Sequence, residues 1–92
     1  MVHKMRAIER NFDFVSDPAH GWVKVPVSLL RELGIAGKIT SYSYRKGKNA
    51  YLEEDVDATL FVNAFKKRFG VNPKFNERVV DRTPIRSYPS YS

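Results

Sequence analysis

In this chain of 92 residues, the side chains with the types and spacing to do chemistry are mainly cations. Arg45, Lys46 and Lys48 crowd around Gly47 in the segment SYSYRKGKNAYLEE, residues 41–54, with Tyr44 beside them. Ammonium and guanidinium groups interleaved with phenols take phosphate or carboxylate, while the rings stack on bases or cover a protein contact. A simpler explanation stands next to this one, because charge on an exposed hairpin also discourages edge-to-edge aggregation. Arg82 and Arg86 repeat the mixture with Tyr88 and Tyr91 near the C-terminus. Such a stretch orders along a partner or stays a loose terminus. The run Lys66-Lys67-Arg68 suits the negative end of a helix better than a separate site.

Other chemistries lack their residues. With no Cys, the chain has no disulfide framework, thiolate ligand or thiol nucleophile. His3 and His20 have no second His or Cys at metal-ligand spacing. The acids Glu53, Glu54, Asp55 and Asp57 lack the Gly and the spaced oxygens of a calcium loop, and helix capping with surface charge explains them better. Gly47 stands alone, so there is no Gly-rich phosphate cradle. The sequence therefore predicts a binding module rather than an enzyme. It offers no catalytic residue, no metal ligand, no cofactor and no small-molecule substrate.

Sixteen Lys and Arg against ten Asp and Glu give a net charge of +6, unevenly spread. Four of the acids fall between Glu53 and Asp57, so the other six face all sixteen bases and the rest of the chain carries +10. A field of that sign favours polyanions or acidic protein surfaces. The length fits a single domain, 1–92, with an extended C-terminal tail from about residue 83. No apolar run approaches the ~18 residues of a membrane span. The start, MVHKMRAIER, is too charged for a secretory signal, and the absence of Cys fits a reducing cytosol.

The elements that must position these residues follow from periodicity. Residues 1–16 carry both periods: Met1, Met5, Ile8 and Phe12 recur as in a helix, while Phe12 and Phe14 alternate as in a strand. A strand over 7–15 is the expectation. Asp17-Pro18-Ala19-His20-Gly21 reads as a turn, Trp22 to Val25 as a short strand, and Ser28 to Leu33 as a short helix. Pro26 sits in that helix's first turn and Gly34 at its stop. A strand over Lys38–Arg45, a turn at Gly47 and a strand over Asn49–Glu53 form a hairpin. Its register sets Arg45 opposite Ala50, Tyr44 opposite Tyr51, Ser43 opposite Leu52 and Tyr42 opposite Glu53. Tyr42, Tyr44 and Tyr51 then share one face. Ile39, Ser41, Ser43, Ala50 and Leu52 share the other, small enough for a helix to approach. That helix begins at Asp55 or Asp57 as cap and buries Phe61, Phe65 and Phe69, widened by Leu60 and Ala64. Gly70 ends it, and Lys74–Arg82 is a last strand. The fold class is α+β: an antiparallel β-sheet packed against one main helix, plus a short helix.

Two resemblances follow from these segments. VKVPVSLLRELGI, residues 23–35, followed by KITSYSY, is similar to the strand–Pro–short helix–LGI–strand pattern of AbrB-like swapped-hairpin domains. That likeness covers about a quarter of the chain and implies a dimeric DNA-binding transcriptional regulator. Across the whole chain, HGWVKVPVSLLRELGI, KITSYSYRKG, YLEEDVDATLF and TPIRSY resemble small proteins of bacterial mobile elements, in particular the phage-encoded anti-CRISPR proteins of the type I-F set. This second resemblance implies stoichiometric, non-catalytic inhibition of the guide-RNA surveillance complex in the host bacterial cytoplasm, by blocking target-DNA hybridisation. The implied partners are protein subunits of that complex, with guide RNA a further candidate. No binding residue transfers by rule from that set, so Arg45, Lys46, Lys48, Tyr44, Arg82 and Arg86 rest on their own chemistry. Many of its members are acidic imitators of DNA, and this basic chain departs from that pattern.

Overall fold

The computed structural model describes residues 10–91. Five strands form one sheet: β1 (Asn11–Ser16), β2 (Gly21–Pro26), β3 (Tyr44–Lys46), β4 (Asn49–Glu53) and β5 (Lys74–Val79), in the order β3-β4-β2-β1-β5. Two helices accompany them, the short α1 (Val27–Glu32) and the main α2 (Asp57–Phe69). The class is α+β, as the periodicity predicts. Every strand pair is antiparallel except β1 with β5, which is parallel. The exception follows from connectivity. Antiparallel neighbours can be joined by a tight turn, whereas α2 carries the chain from β4 across to the far edge of the sheet.

α2 forms because its apolar residues recur on one face. Phe61 and Phe65 are fully buried, while Leu60, Ala64 and Phe69 pack beside them. Phe12 of β1 meets the two buried rings edge-on, at centroid distances of 5.1 and 5.8 Å. The sheet face beneath is made of Val23, Val25, Ala50 and Leu52, all buried, and the small Ala50 leaves room for the helix. Gly70 closes α2 in the left-handed conformation (φ +76°), with its N–H donating to the Lys66 carbonyl at 2.8 Å. Gly21 answers a different need: a Cβ there would stand 2.4 Å from Cζ of Phe14.

Several expectations are corrected. The strand expected over 7–15 is β1 from Asn11 to Ser16; residues 7–9 lie outside the described residues. The strand expected over Lys38–Arg45 shrinks to Tyr44–Lys46, preceded by a 3-10 turn at Ala36–Lys38. Asp57 is the cause. Its buried carboxylate accepts hydrogen bonds from Thr40 N (3.0 Å), Thr40 Oγ1 (2.7 Å) and Ser43 Oγ (2.5 Å), which fold residues 40–43 into a turn instead of a ladder. Tyr42 is therefore off the sheet and 79% exposed, and Ser43 and Tyr42 have no pairing with Leu52 and Glu53. Neither Asp55 nor Asp57 caps α2. Glu53 does so from the preceding strand, its Oε1 accepting from the N–H groups of Val56 and Asp57 at 2.6 Å each.

The C-terminal residues pack as a thin layer whose end, Tyr91, joins the same main core as Phe61 and Phe65. After a 3-10 turn at Ile85–Ser87 the chain crosses the sheet face opposite α2 and rounds the outer edge of β3. There Arg45 N donates to the Pro89 carbonyl and Tyr91 N to the Ser43 carbonyl, both at 2.8 Å. Ile85 and Tyr91 are buried, and the Tyr91 hydroxyl donates to the Ala36 carbonyl at 2.5 Å.

Candidate partner-binding face

The sheet face turned away from α2 gathers most of the residues singled out by their chemistry. Alternation puts Trp22, Lys24, Tyr44, Lys46 and Tyr51 there, because their neighbours Val23, Val25, Ala50 and Leu52 point into the core. Pairing then aligns them in rows. Tyr51 stands between Lys24 of β2 and Tyr44 of β3, and Asn49 between Pro26 and Lys46. The tip between β3 and β4 is a two-residue turn, Gly47-Lys48, with Gly47 at φ +60°, the left-handed first position that a II′ hairpin turn requires. The tip is braced as well, since the Val27 N–H at the start of α1 donates to the Lys48 carbonyl at 2.8 Å.

The C-terminal layer lies across this face. Tyr88 packs on Tyr51 with ring centroids 5.1 Å apart, and Nζ of Lys46 stands 4.7 Å from the centre of the Tyr88 ring. The Tyr51 hydroxyl's pKa is pushed up by burial and, second, by the neighbouring Tyr88. Arg86 lies over Trp22, its Cζ 5.2 Å from the indole ring, and Tyr44 meets the same indole edge-on at 6.3 Å. Arg86 also grips Asp17 through both guanidinium nitrogens, Nη2 donating to Oδ1 at 2.9 Å. Asp17 further accepts the N–H groups of Ala19 and His20 at 3.0 Å each. The Arg86 side-chain hydrogen bonds hold the Asp17 carboxyl far below the usual carboxylate range, and Asp17 in turn raises the Arg86 pKa.

The six residues marked by sequence are thus divided. Tyr44, Lys46 and Arg86 come together on this face, and Lys48 stands at its end on the turn. Arg45 points to the other side, opposite buried Ala50, and is half-buried. Arg82 is exposed at a separate concavity beside Asp17, Asp81 and Arg86. The charge of Arg86 is already balanced by Asp17. Among the described residues Lys24, Lys46 and Lys48 have no carboxylate within 4.0 Å, so on this face theirs is the charge left unpaired. Lys24 is the residue that the motif reading passed over. Its signal was the alternation of large and basic residues in β2, but only the β2–β4 register brings it beside Tyr51. Among the described residues there is no group of three or more His, Cys, Asp or Glu that could hold a metal ion, and no helix long and apolar enough to cross a membrane.

In comparisons with known proteins, no family model matches the chain, and no curated protein or solved structure matches it significantly.

Proposed function

We propose that the protein is a non-enzymatic inhibitor of the type I-F CRISPR surveillance complex, a phage-encoded anti-CRISPR protein acting in the host bacterial cytoplasm. It binds the complex stoichiometrically and blocks target-DNA hybridisation by occupancy. One observation carries this reading: Lys24, Lys46 and Lys48 are exposed and lack carboxylate partners among the described residues, with Lys46 and Lys48 at the braced hairpin end of a Tyr-bearing sheet face and Lys24 beside Tyr51 on the same face. A braced tip presents its charges at low entropic cost. Ammonium groups so placed fit guide-RNA phosphates or an acidic subunit surface beside them. The resemblance of the whole chain to the type I-F inhibitors supplies the identity of the complex.

The test is a competition assay with labelled target DNA, surveillance complex and increasing inhibitor. Lys24→Ala/Lys46→Ala/Lys48→Ala removes three exposed side chains, so Tm stays at the parental value. At least ten times more of the variant should be needed to block DNA loading, a loss of about 1.4 kcal/mol. Blocking at parental concentrations would show that the lysines are only solvated, and absence of blocking by the parent protein would remove the inhibitor reading itself.

A further inference from the structure

We propose that the outer edge of β5 receives an extended segment of a partner protein as an added strand, one that alternates apolar and basic residues on one face with acidic residues on the other. The two edges of the sheet differ. β3 is closed by the chain itself, through the Pro89 and Tyr91 hydrogen bonds and the Tyr44–Ser90 bridge. β5 is exposed along its whole length. Lys74 N donates to the Arg10 carbonyl and Val80 N to the Ser16 carbonyl. The even positions of β5 therefore bond to β1, and the N–H and C=O groups of Phe75, Glu77 and Val79 point away from the sheet. Among the described residues nothing bonds them. Unpaired strand edges of this kind are templates for strand addition.

The side chains specify what fits. On the α2 side, Phe75 is 41% and Val79 75% exposed. Phe75 borders an open apolar cavity of about 590 Å³ lined by Phe14, Val23, Ala58 and Val62, with Glu54 and Glu77 also lining it. On the opposite side stand Lys74 and Arg78, the latter 3.4 Å from Asp13. A complementary strand thus carries apolar, basic and apolar residues towards the cavity, and acids towards Lys74 and Arg78. A second copy of this chain does not meet that pattern. Antiparallel pairing centred on Asn76 sets Lys74 against Arg78, and pairing centred on Glu77 sets that carboxylate against its own copy. The proposal concerns the edge opposite the hairpin and does not depend on the inhibitor reading.

The probe is a peptide with the core Ile-Glu-Lys-Thr-Val-Glu. Antiparallel to β5, it places Ile, Lys and Val against Val79, Glu77 and Phe75, and Glu, Thr and Glu against Arg78, Asn76 and Lys74. The measurement is amide hydrogen exchange on the full chain by NMR, with and without peptide. The expected result is at least tenfold added protection at the amides of Phe75, Glu77 and Val79, with none at Lys46 or Tyr88. The peptide with its Lys and Glu residues interchanged should bind at least tenfold more weakly. N-methylation of the Lys and Val amides, which face β5, should abolish binding. Equal binding of the matched and interchanged peptides, or no protection at millimolar peptide, overturns the proposal. So does protection of the three amides in the free protein together with a dimer mass by light scattering, which would name a second copy as occupant. Peptide binding seen only after removal of residues 1–9 would overturn it for the full chain.

Discussion

A carboxylate with no exposed surface fixes the chain ahead of the hairpin. Asp57 accepts from Thr40 N, Thr40 Oγ1 and Ser43 Oγ, and Ser43 Oγ in turn accepts the Glu53 N–H at 2.9 Å. Asp57→Ala leaves these donors without their acceptor in a buried site, which should cost about 3 kcal/mol. In a domain this small that loss lowers Tm by roughly 12–24 °C. Asp57→Asn keeps one acceptor oxygen and should fall between the two. Chemical denaturation reads the difference, and a loss below 1 kcal/mol for the Ala variant would mean that water replaces the carboxylate. Asp17 acts at the same scale but through pH. Its pKa is lowered in the folded chain, chiefly by the Arg86 hydrogen bonds. The unfolded chain therefore takes up the proton first on acidification. The contribution is fully present above the ordinary carboxylate pKa of about 3.9 and is lost as pH falls below it. The stability gap between the parent and Asp17→Asn should be constant from pH 7 to about 5 and should shrink towards pH 2. A gap that stays constant down to pH 2 would show that the ion pair is not coupled to folding.

At the scale of elements, α2 covers one face of the sheet, and the C-terminal layer crosses the other before Tyr91 enters the core that α2 covers. Phe61→Ala and Phe65→Ala each delete a fully buried ring and should cost about 3–5 kcal/mol. Melting within a degree or two of the parent would place the stripe in solvent. Tyr91→Ala removes a ring that is 6% exposed, together with its hydrogen bond to Ala36. It should cost about 3 kcal/mol, most of it as faster unfolding if the layer docks late. These two elements also show what a sequence can convey. α2 was legible from Phe61, Phe65, Phe69 and Gly70, because its stripe and its stop are local. The β3–β4 turn was legible for the same reason, with Tyr44 opposite Tyr51 and Arg45 opposite Ala50 as expected. The layer was not, since TPIRSYPSYS has no period, and its docking depends on Ser43 and Ala36, about fifty residues upstream. The shortening of β3 was hidden likewise. Asp57 carries the signature of a helix cap, and only the fold brings Thr40 and Ser43 to it. Of the candidate site, the basic tip was legible. The inward side of Arg45, the neutralisation of Arg86 by Asp17 and the parallel pairing of β5 were set by distant contacts.

At the scale of the whole molecule, the net charge of +6 draws any polyanion, so specificity must come from how few charges act together. The three described ion pairs engage Arg68, Arg78 and Arg86. On the proposed face, Lys24, Lys46 and Lys48 can supply three phosphate contacts. Counterion release sets the consequence for naked nucleic acid. Three contacts give a log–log salt slope of about −2 for single strands and about −3 for duplex, so affinity falls roughly 20- to 40-fold between 50 and 200 mM salt. Free DNA and RNA should therefore bind weakly, without sequence preference, and hardly at all at physiological salt. Lys24→Ala/Lys46→Ala/Lys48→Ala should make the slope shallower by about 2 to 3, the share of those three contacts. By contrast, under the proposed inhibitor reading a complex with a surveillance assembly would add protein contacts that salt screens less, and its affinity should decline more gently over the same range. Filter binding across a salt series measures both. A steep slope with nanomolar, sequence-specific binding of duplex at 200 mM salt would instead support a dimeric DNA-binding regulator, because only a paired, groove-reading surface makes that many contacts.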